Sequence, residues 1–268
     1  MGGDLIDLRF LPYLVFYGVA GALLFVVGAL VFHVFASQVQ LAPYNEPAGA
    51  RIGFLEPVLA VVILFALAFT WLRYGNLQNV IGDETVRLTL LGRSALTFPE
   101  PERSNLVNAA ADYATAIAQS EWLTMSRYGD RSYSASDALQ RLTTKYAAAQ
   151  THSLRERLLL NYSNRLVREL AEQREARLAA ARYLLGGTLQ VVIVYTLGAT
   201  LILNWFFGLP SLTTKLVLGS LFAVSVATVL MFNDVLAHAF DGPAVLDNSA
   251  YLELAESLRS ALLPPDMP

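Results

Sequence analysis

Apolar residues along this chain fall into four long runs, and between the second and third lies a long stretch in which apolar positions return at helical spacing. The runs are approximately Leu11 to Phe35, Phe54 to Leu72, Leu184 to Phe207 and Lys215 to Phe232. A bilayer core about 30 Å thick is crossed by roughly 17–25 helical residues, so each run predicts a membrane-spanning helix. The second run carries Glu56 near its start, beside Arg51, which places that end at headgroup level rather than deep in hydrocarbon. Tyr13, Tyr17, Trp71, Tyr74, Tyr183 and Trp205 lie near the ends of the runs, where amphipathic rings suit the membrane–water boundary. Asp4, Asp7 and Arg9 precede the first run, which exceeds the roughly 7–15 apolar residues of a cleaved secretory signal; it predicts a permanent helix.

In the intervening stretch, Ser104 is placed to cap a helix carrying Leu106, Ala110, Tyr113 and Ile117 on one stripe, with Pro99 and Pro101 just before it. A turn is expected at Tyr128, Gly129 and Asp130. Ser134 or Ser136 then starts a shorter helix to about Ala149, and Ser153 opens a long one with Leu159, Tyr162, Leu166 and Leu170 on one face. That helix also bears Arg165, Arg168, Glu169, Glu172, Arg174, Glu175 and Arg177, a charge pattern that reads as a solvated face or a subunit contact. No proline or turn separates it from Tyr183, so it is expected to run directly into the third span. Gly18, Gly21, Ala22 and Gly28 on the first span, and Gly186, Gly187 and Gly198 on the third, permit close helix approach within one subunit or between subunits.

Composition agrees with lipid as the solvent: 55% of residues are hydrophobic and only 15% charged, against about a quarter charged in soluble domains. Of the 19 basic residues, 15 lie between Arg73 and Arg182, and Arg9, Arg73, Arg168, Arg174, Arg177 and Arg182 sit near span ends. Positive residues favour the cytoplasmic side, so both termini and the insert are expected there. The fold class that follows is an all-α integral membrane protein with four transmembrane helices and a cytoplasmic helical domain between the second and third. Its expected parts are residues 1–75 with spans one and two, 76–182 as the cytoplasmic domain, 183–240 with spans three and four, and 241–268 as a cytoplasmic C-terminal segment.

Candidate chemistry is sparse. The net charge of −3 argues against a nucleic-acid partner, and the absence of cysteine excludes disulfides and thiol ligands. His33, His152 and His238 are scattered, with no metal-ligand spacing, phosphate loop or nucleophile elbow, so no enzyme, cofactor or metal site is expected. Ionisable groups are nearly absent from the span interiors, which disfavours a coupled pump and leaves a passive conduit gated by apolar side chains. Val61, Phe65 and Phe69 stand four apart on the second span, and copies of that face around a symmetry axis would form a narrow apolar neck. Packing against a neighbouring helix explains the same spacing.

From the second span onward the chain resembles the bestrophin-like membrane family of bacteria and plants. The resemblance rests on Phe69, Thr70, Arg73 and Tyr74, then Val80, Ile81, Asp83 and Glu84, then Leu96 with Phe98 to Pro101, Tyr113, the Glu121–Trp122 pair with Gly129 beyond, and Phe240 to Gly242. It departs at Leu184 to Leu189, where a Pro and a Trp are expected, and at Ala239 in place of a proline. The family is distantly similar to bestrophin ion channels, and the resemblance implies a pentameric, homo-oligomeric channel passing inorganic ions through a bacterial inner membrane. In it, Val61, Phe65 and Phe69 would line the neck, with Glu56, Arg73 and Glu84 at the mouth or inner end. The acidic calcium-binding cluster of bestrophins is not clearly reproduced by Asp241, Asp247, Glu253 and Glu256. The alternative is a non-conducting scaffold recruiting a partner through an exposed apolar patch around Tyr113 and Trp122; a small-solute transporter would need facing polar groups near the midplane, and few are present.

Overall fold

A computed structural model describes residues 9–35, 43, 45–182, 187–207, 209 and 211–263. The expectations placed on Asp4, Asp7, Tyr183, Leu184 and Gly186, and on the join between the long helix and the third span, lie outside the described residues. Within them the regular elements are helical: α1 (Leu11–Phe35), α2 (Asn45–Ala95), α3 (Glu102–Ala116), a π turn (Ile117–Glu121), α4 (Trp122–Tyr128), α5 (Tyr133–Ala148), α6 (Leu154–Arg182), α7 (Gly187–Phe206), α8 (Leu212–Ala237) and α9 (Ser249–Ser260). Among the described residues α1, α2 and α8 are long and apolar enough to cross a membrane, and Val191–Phe206 of α7 forms a shorter apolar stretch.

The chain divides into two units. The first comprises residues 1–72 and 185–237; the second, residues 73–184 and 238–268. Helix α2 contributes to both, because its 51 residues run unbroken from the second apolar run to Ala95. Residues 76–95, expected as the start of the cytoplasmic domain with no element named there, form the second half of this helix. Gly75 and Gly82 each cost a helix about 1 kcal/mol relative to alanine, but Leu77, Ile81, Glu84, Leu88, Leu91 and Ala95 are buried at three- and four-residue spacing and carry the helix through.

In the first unit α1 and α8 are antiparallel. Tyr17 Oη donates to Asp234 Oδ2 at 2.6 Å, and one turn along, a Cβ on Gly21 would lie 2.8 Å from Ala227 Cβ and 3.0 Å from the Ala223 carbonyl oxygen. Further along, Gly219 of α8 makes room for the Phe25 ring and Gly28 for the Trp205 indole of α7. Phe25, Ala29, Leu201 and Ala223 form the buried centre. The glycines of the first span are therefore used for contact within one chain. Lys215 is buried: its Nζ donates to the Trp205 carbonyl at 2.6 Å and lies 6.0 Å from the Phe32 ring. A cation there meets the unpaired carbonyls at the C-terminal end of α7.

In the second unit the expected α3 stripe is fully enclosed, with Leu106, Ala110, Tyr113 and Ile117 all buried. The helix starts at Glu102, earlier than expected, and the Ser104 hydroxyl donates to Glu100 Oε2 at 2.8 Å instead of capping. Gly129 ends α4 in the left-handed region at φ 61°, which fits the expected turn. Ser153 does cap α6, accepting from the Glu156 amide at 3.2 Å, while Glu156 Oε2 accepts from the His152 amide at 2.7 Å. On α6, Leu166 and Leu170 are buried, but Tyr162 is exposed beneath the Arg165 guanidinium, 5.5 Å from its ring centroid. Helix α9 packs on α3 and sends Leu258 against Gly92, where a Cβ would lie 2.6 Å from Leu258 Cδ2.

Candidate functional site

Two features of the molecule bear on function, an open apolar face on α2 and a buried ionic cluster beside its continuation. A helix repeats every 3.6 residues, so residues four apart share a face. On α2, Val61, Phe65 and Phe69 retain 52%, 69% and 41% of their surface in the single chain, while Leu59, Ala66 and Thr70 are buried. The stripe singled out in the sequence is thus exposed, most fully at Val61 and Phe65, and distinct from the face of Leu59, Ala66 and Thr70. Phe54 and Leu72 are also exposed, and Glu56 and Arg73 are partly exposed at either end.

Glu84 does not share that exposure. Its side chain is fully enclosed within its own chain, so the expectation that it stands at the inner end of a conduit is corrected. It occupies a position in the buried α2 stripe between Ile81 and Leu88, and its carboxylate faces α6. There, Arg177 Nε donates to Glu84 Oε2 at 2.6 Å and Nη2 donates to Glu84 Oε1 at 3.3 Å. The same Nη2 donates to Glu121 Oε1 at 2.7 Å, and Nη1 lies 2.9 Å from Met125 Sδ. One turn earlier, Arg174 binds Glu121 through Nε, 3.1 Å from each oxygen, and through Nη2 to Oε2 at 2.5 Å; Nη2 also donates to Ser136 Oγ at 2.8 Å. Tyr113 Oη donates to Glu84 Oε1 at 3.1 Å and Tyr251 Oη to Glu84 Oε2 at 2.9 Å.

Two arginines and two glutamates leave the cluster with no net charge, and each carboxylate accepts from several donors, as burial requires. Burial alone would raise Glu121, but Arg174 and Arg177 outweigh it and hold its carboxyl below the usual range. Burial likewise works against the charge on Arg177, yet Glu84 and its other partners hold it well above its ordinary value. The hydroxyls of Tyr113 and Tyr251 are pushed well above 10.0 by burial and by the adjacent Glu84 charge. The reading of Arg174 and Arg177 as part of a solvated face is therefore overturned. They continue the buried line of Ser163, Leu166, Val167 and Leu170 along α6, which is the sequence signal that distinguishes them from exposed Arg165 and Arg168. Glu121 closes the π turn, a one-residue irregularity of a kind that recurs at functional sites.

What the cluster does chemically is hold elements together. It joins α2, α3, the π turn, the start of α5, α6 and α9 through charge-assisted hydrogen bonds. No group of His, Cys, Asp or Glu able to hold a metal ion occurs among the described residues. Tyr113 and Trp122, required as an exposed patch by the scaffold reading, are both buried, with Trp122 edge-on to Phe240 at 5.0 Å.

The model of the bestrophin-like domain matches residues 18–251. The chain belongs to the bestrophin-like family. No curated protein matches it by sequence. Solved structures extend the likeness to the fold: one variant of a bacterial bestrophin homologue from Klebsiella pneumoniae superposes with a TM-score of 0.65 at 12% identity, covering 91% of this chain and 98% of that one. Another variant of that homologue gives 0.64 at 13% identity with the same coverage. A chain described only as a membrane protein gives 0.64 at 13% identity, covering 91% and 97%. The bestrophin-like fold thus extends over nearly the whole chain, including the α2 face and the ionic cluster.

Proposed function

We propose that this bestrophin-like chain is a subunit of a homo-oligomeric, pentameric ion channel in a bacterial inner membrane. Four helices cross the bilayer, with the 76–182 domain, the 241–268 segment and both termini cytoplasmic. The second span turns Val61, Phe65 and Phe69 toward the symmetry axis as an apolar neck, with Glu56 and Arg73 at its two ends. No enzymatic activity or cofactor enters this reading.

The observation that carries it is the exposure of Val61 and Phe65 on α2, together with membership of the family. These apolar side chains stand a turn apart and keep more than half their surface in the single chain, on a helix whose continuation is fixed by the Glu84–Arg177 pair. Symmetric copies of a stripe of this kind enclose a conduit, and an apolar constriction gates ions by dewetting. The scaffold reading loses support because Tyr113 and Trp122 are enclosed. The assembly is tested by the mass of the full chain in lipid nanodiscs or mild detergent: a closed ring of five is expected, and a monomer would overturn the proposal.

A further inference from the structure

The second unit has an end at which the chain passes to and from the apolar helices, entering at Arg73, leaving after residue 184 and returning at His238. Contacts inside the unit order its elements along one axis. Helices α2 and α6 are antiparallel, with Ser94 Oγ 2.9 Å from Ser163 Oγ at one end and Arg177 2.6 Å from Glu84 nearer the other. The α3–α4 rod starts just after α2 ends, passes Glu84 at Tyr113, and at Trp122 meets Phe240, three residues beyond α8. It continues for six more residues, about 9 Å, to the turn between α4 and α5. Arg131 Nη2 in that turn donates to Glu175 Oε2 at 3.2 Å, seven residues before α6 ends. Within the second unit, the turn therefore lies toward the end that carries Arg73, Arg182 and His238.

On this turn Tyr128 and Tyr133 are 77% and 88% exposed, beside exposed Leu123 and the exposed cations Arg127 and Arg131. Two phenol rings left in water forgo the burial their apolar faces favour, whereas the headgroup layer of a bilayer accepts both the ring and its hydroxyl. Arginine beside them meets lipid phosphate with paired donors. We propose that the α4–α5 turn docks on the lipid headgroup layer, with Tyr128 and Tyr133 seated at headgroup level and Arg127 and Arg131 against lipid phosphates. This rests on the reading that the apolar helices cross the bilayer and the second unit lies outside it.

The chain has no cysteine, so single labels are clean. A fluorophore on Ser134→Cys reports on the turn with both tyrosines intact, and one on Thr144→Cys lies about 15 Å further along α5. The full chain is reconstituted in phosphatidylcholine–phosphatidylglycerol vesicles and quenched by headgroup-linked nitroxide lipid and by aqueous iodide. The expected result is several-fold stronger nitroxide quenching at 134 than at 144, falling to the 144 level when Tyr128→Ser and Tyr133→Ser are added. Iodide quenching at both sites without nitroxide quenching would overturn the proposal. Protection of 134 from iodide without nitroxide quenching would also overturn it, assigning the turn to a contact between copies. Equal nitroxide quenching at 134 and 144 would instead defeat the underlying placement of the second unit outside the bilayer.

Discussion

Arg177 on α6 and Glu84 on α2 stand 93 positions apart in the chain, yet Nε and Oε2 are 2.6 Å apart with neither side chain exposed. The pair fixes the helix that bears the Val61–Phe69 stripe to the helix that precedes α7 in the chain. Removing one member of a buried pair leaves the other charge uncompensated, which costs about 3–5 kcal/mol. Arg177→Met is expected to lower the thermal midpoint of the purified protein by that measure, and adding Glu84→Gln to recover part of the loss. Arg165→Met, at an exposed pair 4.0 Å apart, should change stability by no more than about 0.5 kcal/mol. Unfolding followed by tryptophan fluorescence in detergent distinguishes the two.

The cluster also sets a pH window. Glu121 is held below its ordinary value of 4.5, so the stability it contributes is present above 4.5 and lost as pH falls through the lower folded value. Tyr113 and Tyr251 are held above 10.0, so their contribution is present below 10.0 and lost as pH rises toward the folded values. Thermal midpoints measured across pH should fall at both extremes. Glu121→Gln should lower the plateau and flatten the acid limb; an acid limb of unchanged steepness would show that other carboxylates produce it.

Close packing between α1, α7 and α8 depends on missing side chains, most tightly at Gly28 and Gly219. A Cβ at Gly28 would enter the Trp205 indole, and one at Gly219 the Phe25 ring. Overpacking of this kind costs about 1–3 kcal/mol. Gly28→Ala and Gly219→Ala are expected to lower the thermal midpoint, while Gly198→Ala, inside α7 with nothing within 4 Å of the added carbon, should hold or raise it.

The α9 contact is separately testable. Tyr251→Phe removes one donor to Glu84 at 2.9 Å while keeping the ring against Trp122, 6.0 Å between centroids. Loss of a hydrogen bond to a charged group costs about 1.5–3 kcal/mol, and hydrogen exchange should show faster opening of α9 and of the segment around Glu84.

What the sequence made legible follows from periodicity. The α3 stripe from Leu106 to Ile117 and the Ser153 cap were readable because burial and capping depend on neighbours a few residues away. The extent of α2 was not, since Gly75 and Gly82 look like interruptions and only the pairing of Leu77 to Ala95 with distant helices overrides them. The roles of Glu84, Glu121, Arg174 and Arg177 were hidden for the same reason. A charge on a helix reads as solvated unless its partner is known, and these partners lie 53 or more positions away. The Val61, Phe65 and Phe69 face was legible as a stripe, but its exposure in the folded chain was not.

Whether the α2 stripe lines a conduit is decided by ionic current through the purified full chain in planar bilayers, with the wild type compared with Phe65→Ala and Phe69→Ala. The wild type is expected to conduct, and both substitutions to alter conductance or gating by widening the apolar neck. Currents identical in all three proteins would remove these side chains from the conduction path and rule out the neck.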